Sequence, residues 1–228
     1  MKTIGLIGGM SWHSTIDYYK IINELISKKL GGWHSAKIIL YSVDFEEIDL
    51  EHMTDHAEKS DQILFTAAQS LEKAGADFIL IGANTAHVLA DQIQKQVTIP
   101  ILHIADATAE HIKTKNITKV GLLGTAYTMQ QDFYKKRLEN KGLTVLVPEL
   151  KDQETINNEI NNVCMGKANP EAKQLLINII NTLEQQGVEG IILGCTELPL
   201  IVNQKDVEIP LFNTTRIHAE AAVKKALE

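Results

Sequence analysis

Short apolar runs alternate with longer amphipathic stretches along the whole chain. Lys2-Thr3-Ile4-Gly5-Leu6-Ile7-Gly8-Gly9 reads as a short strand that runs into glycines. From 14 to 29 the apolar residues Ile16, Tyr19, Ile22 and Leu25 keep helical spacing. A strand is expected at 37–43. A helix is expected at 55–75, with Ile63, Ala67, Leu71 and Ala74 on one side and Gly75 ending it. A strand at 77–82 and a helix from about 88 to 95 follow, then a helix at 105–112. The pattern continues with a strand at 118–123, a helix at 127–141, a strand at 143–147, helices at 152–164 and 170–186, and a strand at 188–193. A helix at 217–227 closes the chain. Helices between buried strands imply parallel sheets with crossover connections.

The chain also repeats itself. Thr118-Lys119-Val120-Gly121-Leu122-Leu123-Gly124-Thr125 echoes the first strand 116 positions later. Val207-Glu208-Ile209-Pro210-Leu211-Phe212 echoes Val97-Thr98-Ile99-Pro100-Ile101-Leu102 at a shift of 110. Ile191-Ile192-Leu193-Gly194-Cys195-Thr196-Glu197 echoes Ile79-Leu80-Ile81-Gly82-Ala83-Asn84-Thr85 at a shift of 112. Three echoes in one order predict two pseudo-symmetric, doubly wound α/β lobes with mainly parallel sheets. We assign 1–98 plus 208–228 to the first lobe and 99–207 to the second. Folds of this kind place their chemistry outside the carboxyl ends of the strands, here Gly8-Gly9, Ala83-Asn84, Gly124-Thr125 and Cys195-Thr196.

Composition narrows the function classes. The net charge of -7 comes without a basic cluster, which argues against a nucleic-acid partner. No apolar stretch approaches the length of a membrane span, and no secretion signal opens the chain, so a cytoplasmic protein without a membrane partner is expected. The two cysteines, Cys164 and Cys195, read as free thiols, and no Cys/His spacing suggests a metal site.

Each strand-end loop has a bland and a chemical reading. Gly8-Gly9-Met10-Ser11 lacks the full dinucleotide fingerprint, and no phosphate-binding G-K-[ST] is present. Its glycines suit a plain turn or the close approach of a small ligand, and Ser11, Ser14 and Thr15 are available as helix caps or carboxylate donors. Gly124-Thr125-Ala126-Tyr127-Thr128 has the same two readings. Asn84 and Thr85 offer an amide and a hydroxyl to an anion, or a structural turn. His87 reads equally as a packed or a catalytic residue. Cys195 opens a turn into a short helix, where N-terminal donors would stabilise a thiolate. Cys164, at a helix end, reads as packing or a bystander.

Together, Gly8-Gly9-Met10-Ser11-Trp12, Ser42-Val43-Asp44-Phe45, Asn84-Thr85-Ala86-His87, Leu123-Gly124-Thr125, Thr128-Met129 and Gly194-Cys195-Thr196-Glu197-Leu198-Pro199 resemble the aspartate/glutamate racemase family from residue 3 to about 220. The resemblance implies two lobes with an active site in the cleft between them, no pyridoxal phosphate or metal cofactor, and a homodimer. It implies a small amino acid or dicarboxylate as substrate. In typical members both strand-end positions carry cysteine, one thiolate removing the α-proton and the other thiol reprotonating the opposite face. Matched onto this chain, Cys195 is the acid/base thiol. Asn84, Thr85, Thr125 and Thr196 hold the α-carboxylate, Thr128 stands beside them, and Met10, Ser11 and Trp12 line the pocket. Asp44 helps to place the ammonium group or the lobe. Lys167 stands where the family often places a lysine for the distal carboxylate, with Arg216 as a second option. His52 and His56 fall on a loop that could cover the cleft.

The chain departs from that pattern at Ala83, which carries no proton. Relatives with threonine there have been regarded as racemases that favour one enantiomer of the substrate. Arylmalonate decarboxylases, a related branch, keep one cysteine and protonate a carbanion-like intermediate. Three functions therefore remain open: a racemase of aspartate, glutamate or a related amino acid, a one-cysteine decarboxylase or lyase, and a dicarboxylate-binding paralogue.

Overall fold

The computed structural model describes residues 1–48, 57–167 and 169–228. The chain forms two compact units, Met1–Ala107 with Thr215–Glu228, and Thr108–Thr214. In the first unit the order is β1 (Ile4–Gly8), α1 (Trp12–Leu30), β2 (Ile38–Ser42), α2 (Ala57–Lys73), β3 (Phe78–Ile81), α3 (Ala90–Gln94) and α4 (Ile104–Lys113), the last running on into the second unit. The second contains β4 (Lys119–Leu123), α5 (Ala126–Gln130), α6 (Asp132–Asn140), β5 (Thr144–Leu146), α7 (Leu150–Cys164), α8 (Ala172–Gln185), β6 (Gly190–Leu193), α9 (Leu198–Ile201) and β7 (Leu211–Asn213). The final helix, α10 (Thr214–Leu227), returns the chain to the first unit.

All strand pairs are parallel, in the order β2-β1-β3 in one sheet and β5-β4-β6-β7 in the other. Strands β1, β3 and β6 are buried along their whole length because both faces of their sheets are covered there. In β3 the side chains alternate between two cores. Phe78 and Leu80 pack with Tyr18 and Ile22 of α1 and with Ala219 and Val223 of α10. Ile79 and Ile81 pack with Leu64, Ala67 and Leu71 of α2. In the second unit Ile191 and Leu193 join Ile156 and Ile160 of α7 and Leu176, Ile180 and Leu183 of α8.

The repeat read in the sequence is a repeat of register. Ile4↔Phe78 through Ile7↔Ile81 in the first sheet matches Val120↔Gly190 through Leu123↔Leu193 in the second. Two glutamines show the same equivalence in side chains. The Gln94 amide donates to the Val97 and Ile99 carbonyls and accepts from the Ile101 N–H. The Gln204 amide does the same with Val207, Ile209 and Leu211. Each glutamine thus satisfies the backbone of a proline-bearing segment that enters beside a strand. The two edges differ in extent, since Ile101 makes a single bridge to Ile79 whereas β7 pairs with β6 over three residues.

Two helix expectations change in detail. The helix expected from 88 begins as a tight 3-10 turn, Thr85–Leu89, before α3. The helix expected at 127–141 is two helices, because Gln131 is extended between α5 and α6.

Candidate active site

In both units the strand-end turn is built by the same backbone contact. The Gly82 N–H donates to the Ile7 carbonyl at 2.8 Å, and the Gly194 N–H donates to the Leu123 carbonyl at 2.7 Å. A Cβ on Gly194 would stand 2.8 Å from that same carbonyl oxygen, so glycine is required for the close approach. Ala83 and Cys195 are therefore equivalent: each is the second residue past its strand, after the same bond.

In the second unit, the Cys195 thiol donates to Oε2 of Glu197 at 2.9 Å, and the Thr196 hydroxyl donates to the same oxygen at 2.7 Å. Glu197 is buried. The Cys195 thiol is pushed well above its ordinary range, first by desolvation and then by the Glu197 charge and the hydrogen bond to it. This reverses the thiolate stabilisation expected from the sequence. The helix that follows, α9, is only four residues long, and a carboxylate rather than bare helix donors faces the sulfur.

Cys164, the last residue of α7, is exposed, and its thiol is pushed up to about 12, first by desolvation and then by the Glu197 carboxylate.

Thr125 caps α5, its hydroxyl accepting the Thr128 N–H at 3.1 Å. The Thr128 hydroxyl, fully buried, lies 3.1 Å from that of Thr125 and supports it from inside. Lys167 is exposed in the turn after α7, its N–H bonded to the Asn162 carbonyl at 2.8 Å.

In the first unit, Ala83 is half-buried and Asn84 is buried at the start of the 3-10 turn, with Thr85 half-buried beside it. His87 is buried and packed. Its Nε2 accepts the Ile104 N–H at 3.2 Å, so Nδ1 carries the proton and donates to the Ala83 carbonyl at 2.8 Å. That bond pins the turn, and both ring nitrogens are engaged. Met10 is buried in the first unit's core. Ser11 occupies the N-cap position of α1 without a capping bond from its side chain. Thr15 does the local work instead, accepting the Gly9 N–H at 2.8 Å and donating to the Ser11 carbonyl at 3.3 Å. Gly9 has φ 98°, and a Cβ there would lie 2.2 Å from the Val43 carbonyl oxygen. Trp12 is exposed on α1. Asp44 caps a surface turn by accepting the Glu46 N–H at 3.1 Å. Arg216 pairs with Glu220 at 3.0 Å on α10. His52 and His56 lie outside the described residues.

A sequence model described as Asp/Glu/hydantoin racemase matches residues 7–222. The chain belongs to this family. Within the Asp/Glu/hydantoin racemase family it is similar to a candidate Asp/Glu racemase from Yersinia pestis, at 49% identity over 100% of both chains with a TM-score of 0.92. It is also similar to an aspartate racemase homologue from Pyrococcus horikoshii, at 40% identity over 100% of both chains with a TM-score of 0.87. A broad specificity amino-acid racemase of Bacillus subtilis is 28% identical over 230 residues, covering 98% of each chain. Among the described residues of this Asp/Glu/hydantoin racemase family member, no cluster of His, Cys, Asp and Glu could hold a metal ion. No helix among them is long and apolar enough to cross a membrane.

Proposed function

We propose that this protein is a cofactor-independent racemase of aspartate, glutamate or a related amino acid, with Cys195 as its acid/base group. The observation that carries the reading is the 2.9 Å bond from the Cys195 thiol to Glu197 at the end of a buried strand, in a chain of the racemase family. A thiol held above its ordinary range is the resting proton donor. Transfer of that proton to Glu197 gives a thiolate beside a neutral carboxylic acid, and the thiolate takes the α-proton of the substrate. The substrate carboxylate then gains enediolate character, which hydrogen-bond donors stabilise. Asn84, Thr85, Thr125 and Thr196 supply those donors, and Thr128 holds Thr125 in place. Ser11 and Met10 are further substrate-binding residues in this reading, and Lys167 takes the distal carboxylate.

Ala83 cannot reprotonate the opposite face. In this reading water does so, a weaker partner than a thiol, which slows inversion equally in both directions because the enantiomers have equal free energy. Exchange of the α-proton with retention is not bound by that equality and is faster for the enantiomer whose α-C–H faces Cys195. A homodimer and a cytoplasmic location belong to the same proposal.

The test is α-proton exchange in D2O, followed for both enantiomers of aspartate, glutamate and alanine. Exchange with inversion from one enantiomer supports the reading. Absence of exchange from every amino acid, with folded protein, rejects it. Release of CO2 from substituted malonates under those conditions would assign the thiol to a decarboxylase.

A further inference from the structure

We propose that His87 is a positioning residue for the half-site that carries Ala83: its imidazole, held in one tautomer by the Ile104 N–H, fixes the Ala83 carbonyl and so aims the Asn84 peptide N–H at the substrate carboxylate. The inference deepens the racemase reading and rests on it for the identity of the substrate.

The turn after β3 is held at two points. The Gly82 N–H donates to the Ile7 carbonyl at 2.8 Å, and the Ala83 carbonyl accepts the His87 Nδ1–H at 2.8 Å. The peptide that joins Ala83 to Asn84 is trans, so its N–H points opposite to its carbonyl. Tying that carbonyl to a ring only 2% exposed therefore turns the N–H away from the core.

The ring has one way to do this. Its Nε2 is taken by the Ile104 N–H at 3.2 Å, which leaves the proton on Nδ1. The segment that supplies this N–H is itself fastened by two more buried imidazoles. His103 Nδ1 accepts the Ala105 N–H at 3.1 Å, and His218 Nε2 donates to the Leu102 carbonyl at 2.7 Å. Their rings lie 4.5 Å and 5.8 Å from that of His87. The stretch 102–105 thus sets the His87 proton, and the His87 proton sets the Ala83 peptide.

A turn of this kind does not need an imidazole to form. In the second unit Pro199 stands 112 positions after His87, and the Cys195 carbonyl accepts the Leu198 N–H at 3.3 Å instead. The histidine belongs to the half-site without a thiol.

The test separates the two ring nitrogens. In His87→Asn the side-chain amide can still donate to the Ala83 carbonyl from the place of Nδ1. In His87→Gln the longer side chain can still accept the Ile104 N–H from the place of Nε2, but the Ala83 carbonyl loses its donor. Each variant drops one bond of the ring, so a histidine that served packing alone would give similar losses in both. We expect His87→Gln to lower kcat/KM for α-proton exchange on aspartate or glutamate by about tenfold to hundredfold, because a charge-assisted donor is misdirected. His87→Asn is expected to recover most of that loss at a similar unfolding midpoint. Equal losses, or a larger loss in His87→Asn, overturn the proposal.

Wild type supplies a second measurement that needs no variant. In proton–nitrogen correlation spectra the His87 ring should carry its proton on Nδ1. Added succinate should move the Asn84 amide proton downfield, as donation to a carboxylate does. A proton on Nε2, or an Asn84 resonance that succinate leaves in place, overturns the proposal. If wild type exchanges no amino acid, the racemase reading fails, and these spectra decide the positioning role by themselves.

Discussion

The Cys195 thiol donates to a carboxylate oxygen of Glu197 only two residues away, at 2.9 Å. The bond presents the sulfur as an acid while keeping a proton acceptor in contact with it. Replacing Glu197 with glutamine separates the two effects. Without the negative charge the Cys195 thiol titrates lower, though still above its ordinary range, because desolvation is the larger cause. We expect alkylation of Cys195 by iodoacetamide at pH 8 to become several-fold faster in Glu197→Gln. Exchange of the substrate α-proton is expected to slow by about 10²–10⁴-fold. An alkylation rate that stays constant or falls would show that Glu197 does not control the thiol.

Removing the sulfur tests the acid/base assignment directly. Cys195→Ser keeps a hydrogen-bond donor toward Glu197 but places a far weaker acid at the strand end. Exchange is expected to fall by at least about 10²-fold with little change in the thermal unfolding midpoint. Exchange at the wild-type rate would remove Cys195 from the mechanism.

The register equivalence of Ala83 and Cys195 makes a gain-of-function prediction. A thiol introduced by Ala83→Cys follows the same backbone contact as the native one, 112 positions earlier. We expect the variant to invert both enantiomers faster relative to α-proton exchange than wild type does, with circular dichroism reading inversion and loss of the α-proton signal in D2O reading exchange. An unchanged ratio of inversion to exchange would show that position 83 does not face the reacting carbon.

His218 gives the first unit an acid-sensitive core. Its Nε2 donates to the Leu102 carbonyl at 2.7 Å, and its Nδ1 accepts from the Tyr18 hydroxyl at 2.8 Å, so the neutral ring satisfies both partners. Desolvation lowers its pKa from 6.5 to about 4, opposed only in part by the bond to Leu102. The unfolded chain therefore binds the proton first, and stability is full above about pH 6.5 and lost as the pH falls toward 4. The difference corresponds to roughly 3 kcal/mol. His218→Asn should be less stable at pH 7.5 but flatter between pH 6.5 and 4 in urea unfolding. A slope equal to wild type would place the acid sensitivity elsewhere.

Gln94 and Gln204 make the internal symmetry measurable as stability. Each holds three backbone groups of a segment that enters its sheet. Alanine at position 94 leaves three partly buried bonds unmade, at a cost of roughly 1–3 kcal/mol, whereas two of the three bonds of Gln204 are exposed and water replaces them. Calorimetric unfolding should show a loss for both variants, with the larger fall in Tm, about 3–8 °C, in Gln94→Ala. A large loss from one and none from the other would mean that the shared geometry does not carry shared energy.

Periodicity and self-similarity determine much of this protein by themselves. A strand covered on both faces must be apolar at every position, and covering helices must keep apolar residues at helical spacing, so the α/β class is legible in β3 and α2. The equivalence of Ala83 and Cys195 is legible as well, because a repeat in sequence becomes a repeat in register. What the sequence left open is how Cys195 is charged and what stands beside it. Glu197 is only two residues away, yet whether its carboxylate turns toward the sulfur depends on the conformation of the turn. His87 shows the same limit, since the Ile104 N–H that fixes its tautomer comes from a separate helix. Local pattern dictates which segments are buried, because burial follows from periodicity. Tertiary structure decided the chemistry of the thiol, because desolvation and hydrogen bonding depend on groups that only folding brings into contact.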